Sequence, residues 1–222
     1  MFVYSLHFRI DNLFKILSML FVLVSTSVSA NCDKALSPEI EFKNISYEII
    51  SLMNLRQEKI KNDTDYATEV IENILLPKFD TVRASRIVLG QYWSKLSVAE
   101  KRKFAKTFRV FLTRQSSNAI AIVLGDSNSK LNKNTIKLDD YVKTSNDLGI
   151  IKSRVYTNET YVVVYKIRCV KMKWKVYDVV IDGVSFLKQY AREFKDQLKN
   201  NGIGNLIILM KNMNNRLSPV AR

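Results

Sequence analysis

The spacing of apolar residues changes several times along this chain, and each change marks a different kind of segment. Residues 13–24 are almost continuously apolar. Beyond them, Ile45, Ile49 and Leu52 recur at intervals of three and four, the spacing of one helix face. Ser37-Pro38-Glu39 supplies the start of that helix: a capping residue, a proline for the first turn and an acid near the positive end of the dipole. A second helix is predicted over residues 65–75, stopping before Pro77, and a third from its cap at Asp80 to Gly90. Ser97-Val98-Ala99-Glu100 then forms a capping box, in which cap and acid satisfy each other's backbone donors. The helix behind it carries Phe104, Phe108, Phe111 and Leu112 on one side and Arg102, Lys106 and Arg109 on the other.

From Asn132 the pattern shortens. Residues 135–138, 150–156, 161–168 and 174–181 are rich in β-branched and aromatic side chains and are joined by spacers short enough for hairpins. Tyr161, Val163 and Tyr165 share one face of their strand; Trp174, Val176 and Asp178 share one face of the next. Helical spacing returns with Val184, Leu187, Ala191, Phe194 and Leu198, expected to form one buried face that ends at Asn201-Gly202. Residues 206–213 suit a last short helix, and 214–222 a disordered tail. The order predicts an α+β fold: a curved antiparallel sheet of about four strands packed against N- and C-terminal helices, with an apolar cavity between the layers.

The opening apolar run is short for a bilayer core. Arg9 and Lys15 give a basic start, and Val28-Ser29-Ala30 supplies small residues for cleavage. Residues 1–30 therefore read as a secretory signal peptide, leaving residues 31–213 as a single domain. The only histidine, His7, leaves with the signal. Ser-His-Asp and Cys-His catalysis, and histidine-dependent zinc sites, are excluded for the remainder. Cys32 and Cys169 can pair in an oxidising compartment; a terminal thiol and a separate semi-buried one fit the sequence equally well. Removing Arg9, Lys15 and Asp11 with the signal lowers the net charge from +14 to +13. Export, and the lack of an RNP, zinc-finger or KH pattern, argue against nucleic acid as the partner. The charge suits an anionic lipid surface or an acidic partner, or simply a solvated exterior.

One stretch invites a catalytic reading. Asp182-Gly183-Val184-Ser185 lies between a strand and a helix, as a nucleophile elbow does. The elbow needs a second glycine where this chain has Leu187, and a base where it has no histidine. Asp178 and Asp182, four residues apart on an extended strand, would stand roughly 13 Å from each other, too far to act on one bond. Asp182 is instead expected to cap the following helix, with Gly183 making the bend. The chain reads as a non-enzyme with no cofactor and no metal site.

Several short motifs, in order, resemble the MlaC (toluene-tolerance) family of periplasmic phospholipid-binding proteins. Leu76-Pro77-Lys78-Phe79-Asp80 followed by Leu89-Gly90-Gln91-Tyr92-Trp93 is similar to that family's P-x-F-D and L-G-x-x-W pattern. Lys101, Phe104 and Phe108 fit its next helix. Trp174-Lys175-Val176-Tyr177-Asp178-Val179, then Asp182-Gly183-Val184-Ser185, resembles its W-x-V-x-D-V and G-V-S segment. Arg192 and Phe194, then Gly202 and Leu206-Ile207, follow in the expected places. The likeness spans most of residues 38–213. It departs at Ser116-Ser117, where the family usually has an aromatic residue, and the stretch 125–152 contributes nothing to it.

The resemblance implies a carrier without chemistry, holding phospholipid as cargo in the periplasm. It also implies exchange between an outer-membrane lipoprotein complex and an inner-membrane ABC transporter with MCE-domain subunits, the carrier acting as a monomer to maintain outer-membrane lipid asymmetry. The candidate lining residues, taken as a group, are Phe104, Phe108, Phe111, Tyr161, Val163, Tyr165, Trp174 and Phe194. Two rival readings are a secreted, non-catalytic binding or inhibitory domain with a closed core and an exported enzyme using carboxylates or lysine.

Overall fold

The computed structural model describes Cys32 and residues 35–126, 131–156 and 159–216. The expected signal peptide, residues 157 and 158 of the expected hairpin spacer and residues 217–222 of the expected tail lie outside them. The first helix, α1 (Pro38–Asn62), has Glu39 and Glu41 in its first turn and Lys59 and Lys61 in its last, matching charge to the dipole at both ends. Ser37 does not cap it; its hydroxyl donates to Glu39 instead. Helical geometry fails at Arg56 (φ −125°, ψ 20°), where two helical pieces meet. Asp63 closes α1 and caps α2 (Thr64–Val70), accepting the Tyr66 N–H at 2.9 Å. Chain that read as plain helix up to Leu75 becomes a π-helical turn over Ile71–Leu75, then a 3₁₀ turn over Leu76–Lys78 containing Pro77.

Two expected start signals are present atom for atom. Asp80 accepts the Arg83 N–H at 3.0 Å and opens α3 (Thr81–Leu89), which Gly90 ends at φ 51°. At α4 (Val98–Asp126), Ser97 Oγ accepts the Glu100 N–H at 3.2 Å and Glu100 accepts the Ser97 N–H at 2.8 Å. The hydrogen bond from the Ser97 side chain, with that from its backbone, holds the Glu100 carboxyl below its ordinary pKa.

The strands form one antiparallel meander in sequence order: β1 (Ile136–Lys143), β2 (Leu148–Tyr156), β3 (Thr160–Val170), β4 (Lys173–Ile181) and β5 (Val184–Ser185). The fold is the expected α+β arrangement with one further, two-residue strand. Register shifts between Leu138 and Tyr141 and between Lys166 and Ile167 bend the sheet, as bulges do. The short strand corrects one assignment. Val184 was placed on a buried helix face; it belongs to β5 and is 52% exposed. Helix α5 (Phe186–Arg216) begins after it, breaks at Gly202 (φ 71°) and continues past the expected end at residue 213. Asn214, assigned to the tail, is buried.

Most of the buried apolar residues fall into three groups. Phe104, Phe108 and Phe111 of α4 pack with Ala84 and Val88 of α3 and with Leu187, Phe194, Leu206 and Met210 of α5. Ile151, Ile167, Cys169 and Trp174 of the sheet pack with Phe42 of α1. Ile60 of α1 and Ala67 of α2 form the third, with Leu52, Met53, Tyr66 and Leu131 around them. A Cys32–Cys169 disulfide spans 137 residues and fixes the chain before α1 to β3. Nothing in the sequence chose between pairing and separate thiols.

Candidate functional site

The elbow resolves into a joint. Ser185 Oγ donates to Asp178 at 2.8 Å and accepts the Lys188 N–H at 3.1 Å, so Ser185 is the cap of α5. Asp178, almost wholly buried, also accepts the Leu187 N–H at 3.3 Å and pairs with Lys166 Nζ at 2.9 Å. One carboxylate thus joins β3, β4, β5 and the first turn of α5. The serine proton is already donated to a carboxylate that is itself paired with Lys166, an arrangement that fixes the start of the helix. Asp182 does not cap the helix. It sits at φ 47° in the β4–β5 turn, where its carboxylate accepts the Val162 N–H at 3.0 Å and its own N–H donates to the Val162 carbonyl at 2.9 Å. The turn carries the chain on through β5, so the helix starts three residues later than the sequence pattern placed it.

The candidate lining residues divide between two places. Phe104, Phe108, Phe111 and Phe194 lie in the helical core, each at most 2% exposed. Their rings form a chain, 5.5 Å from Phe104 to Phe108, 6.2 Å on to Phe111 and 5.9 Å on to Phe194. Tyr190 completes this group at 5.1 Å from Phe111; burial, and secondarily Glu193, push its phenol up to about 12. Sequence reasoning missed Tyr190, although it lies four residues before Phe194 on the same helix. Ser117, at the departure from the family pattern, is buried with its hydroxyl returned to the Thr113 carbonyl at 2.9 Å.

Tyr165 and Trp174 belong to the sheet group instead. Tyr165 lies 5.6 Å from Phe42 of α1, and its phenol is raised by burial, partly offset by a hydrogen bond with Ser153. Trp174 meets Tyr141 edge to face at 5.9 Å, and its buried indole N–H has no hydrogen-bond partner among the described residues. Val163 is buried further along β3, between Ser153 and Ile181. Tyr161 ends the row, with its hydroxyl 3.1 Å from Glu159.

Two openings border α1. The first is an apolar seam lined by Ile49, Leu52 and Met53 of α1 and by Val70, Ile71 and Ile74 of α2 and the π turn; it holds about 10 Å³ in this conformation. The helical spacing of Ile49 and Leu52 was visible in the sequence but gave no means of telling a lining from a core. The second is a groove of about 660 Å³ open to solvent between α1 and β1, whose walls include Lys43, Tyr47, Lys133, Lys137, Leu138 and Tyr156. Among the described residues no group of three or more His, Cys, Asp or Glu is placed to hold a metal ion, and no helix is long and apolar enough to cross a membrane.

The family model described as MlaC protein matches residues 43–212, from the groove wall on α1 to near the end of α5. The chain belongs to the MlaC family. An MlaC relative from Haemophilus influenzae, named as the binding protein of an intermembrane phospholipid transport system, is 28% identical over 195 residues, covering 86% of this chain and 88% of its own. The toluene tolerance protein ttg2D of Pseudomonas putida is 21% identical over 169 residues, 76% of each chain. Among solved structures, a phospholipid-binding protein from Ralstonia solanacearum, in complex with a phospholipid, superposes with a TM-score of 0.68 at 20% identity, covering 80% of this chain and 96% of that one. At that identity the likeness is one of fold. The MlaC motifs now have positions: Pro77 and Asp80 at the entry to α3, Gly90 at its exit, Trp174 in the sheet group at the start of β4, and Asp178 and Ser185 at the joint that starts α5.

Proposed function

We propose that this chain is a periplasmic phospholipid carrier, exchanging lipid between an outer-membrane lipoprotein complex and an inner-membrane ABC transporter bearing MCE-domain subunits, with no reaction catalysed. The observation that carries this reading is the family match across residues 43–212. The names of the Haemophilus and Ralstonia proteins, one for intermembrane transport and the other for a bound phospholipid, supply the cargo class. The disulfide favours an oxidising compartment, in keeping with the signal-like first thirty residues.

Energetics limit how such a carrier can work. At about 0.8 kcal/mol per buried methylene, two acyl chains of roughly thirty methylenes are worth on the order of 24 kcal/mol against water. The protein must nearly match a bilayer without exceeding it, or the cargo could not leave. An all-apolar lining meets that requirement, and the seam under α1 has one. Its present volume is far too small for an acyl chain, so loading requires α1 to separate from α2 and the π turn. The break at Arg56 and the π turn itself are the two irregular points at which the helices can yield.

Native mass spectrometry of protein purified after export, followed by lipid extraction, tests the reading. The expected result is a protein species heavier by one phospholipid, exchangeable with liposomes. A homogeneous lipid-free mass in repeated preparations, with no uptake from liposomes, would favour the closed-core binding domain and sink the carrier.

A further inference from the structure

We infer that the groove between α1 and β1 is a headgroup site for a net-anionic glycerophospholipid; the inference rests on the carrier reading and adds a lipid preference to it. Lys43 comes from α1, Lys133 from the turn before β1 and Lys137 from β1 itself, so three separate elements each place a lysine in the lining of one depression. No carboxylate is among the lining residues, and none of the three lysines has a carboxylate partner among the described residues.

Elsewhere the chain does pair cations. Lys78 meets Glu41, Arg154 meets Asp139, Lys166 meets Asp178, and Arg168 meets both Asp80 and Asp147. Three unpaired cations around one hollow repel each other and focus a positive potential that an anion relieves. The Lys43 ammonium lies over the Tyr47 ring, 5.9 Å from its centre, a contact that leaves its charge unneutralised.

The rest of the lining suits the glycerol end of a lipid. Ile136 and Leu138 give an apolar floor, and Tyr47 and Tyr156, 43% and 39% exposed, give amphipathic edges of the kind found where protein meets a lipid interface. A volume of about 660 Å³ lies within the usual range of small-molecule sites. Position supplies the independent argument. Lys43, Ser46 and Tyr47 border the groove, and Ile49, Leu52 and Met53 of the same helix border the seam. The two linings follow each other within about one turn, ~5 Å along the axis. A headgroup held in the groove therefore leaves its acyl chains at the apolar seam. A choline or ethanolamine headgroup would bring a fourth ammonium among the lysines; a phosphatidylglycerol headgroup brings none.

The test uses delipidated, processed protein incubated with vesicles of equal parts phosphatidylglycerol and phosphatidylcholine carrying the same acyl chains. Mass spectrometry then reads the ratio bound. Exposed charge contacts are individually weak, so three lysines together support a roughly tenfold preference for phosphatidylglycerol. The preference should shrink in high salt and approach parity in the Lys43→Gln, Lys133→Gln, Lys137→Gln variant. The same charge change at the exposed Lys195, Lys199 and Lys211 of α5 should leave it intact. Equal uptake of both lipids by the natural protein, or an undiminished preference in the groove variant, overturns the headgroup site and leaves the carrier standing. Uptake of neither lipid overturns both. Acetylation footprinting covers the remaining source of phosphate: protection of the three lysines by inorganic phosphate as complete as by phosphatidylglycerol would assign the groove to a soluble anion and overturn the lipid assignment.

Discussion

The helical core of α3, α4 and α5 and the region where α1 crosses the sheet solve the same problem in opposite ways. In the first, four phenylalanines and Tyr190 interlock with aliphatic side chains, and Phe104, Phe108 and Phe111 retain no exposed surface. In the second, α1 meets the sheet through Phe42 and α2 through Ile60, its Glu41 pairs with Lys78, its Asn54 donates to the Leu131 carbonyl, and a disulfide ties down the chain just before its start. The groove and the seam both lie along α1. A helix held at a few points can move without dismantling a core, whereas a helix inside an interlocked aromatic stack cannot. On the proposed carrier reading, the difference gives rigidity to one region and the freedom needed for cargo exchange to the other.

Breaking the packed region should cost most. Phe108→Ala removes the central ring of the stack and should lower stability by about 3–5 kcal/mol in denaturant titrations; a loss below 1 kcal/mol would mean the stack is not close-packed. Replacing both cysteines by serine should cost about 2–5 kcal/mol. Hydrogen exchange sharpens that comparison: protection should fall in α1 and β3 while α4 and α5 keep theirs under conditions where the protein stays folded. Equal loss throughout would erase the proposed division of labour.

Asp178→Asn acts at the joint between the regions. It weakens a charge-assisted acceptor shared by Lys166, Ser185 and the Leu187 N–H, and should cost about 2 kcal/mol. Protection should drop at β4 and at the start of α5 together. The smallest effect at neutral pH belongs to Tyr190→Phe. Because the native phenol titrates at about 12, above its ordinary value of 10.0, the native state holds this proton more tightly than the unfolded state does. Its contribution is complete below pH 10 and is lost as pH rises toward 12. The phenylalanine variant should therefore show a shallower alkaline fall in melting temperature over that window; an unchanged slope would place the Tyr190 hydroxyl in solvent.

Local chemistry was the legible part of this sequence. The Ser97–Glu100 box, the Asp80 cap and the stop at Gly90 each depend on residues a few positions apart, and each is present as read; the strands follow the expected order, with β1 running on to Lys143 where the pattern stopped at Leu138. The corner around Asp182 misled because its caps come from across a hairpin: Asp178 reaches Ser185 only after the β4–β5 turn folds the chain back. Seven of the eight candidate lining residues are aromatic, and four of the eight lie in the helical core. The residues that border openings instead include Lys43 and Lys137, ninety-odd positions apart in the chain. No periodicity links those two positions; they become neighbours only when α1 lies along β1.

The disulfide also sets an order of assembly. Both cysteines and all five strands precede Phe186, whereas the helical core is incomplete until Phe194, Leu206 and Met210 have arrived. A chain emerging N-terminus first can therefore close its covalent bond while the interlocked core still lacks a wall. The part made early is secured by a bond that needs no neighbours, and the part made late by contacts that need all of them.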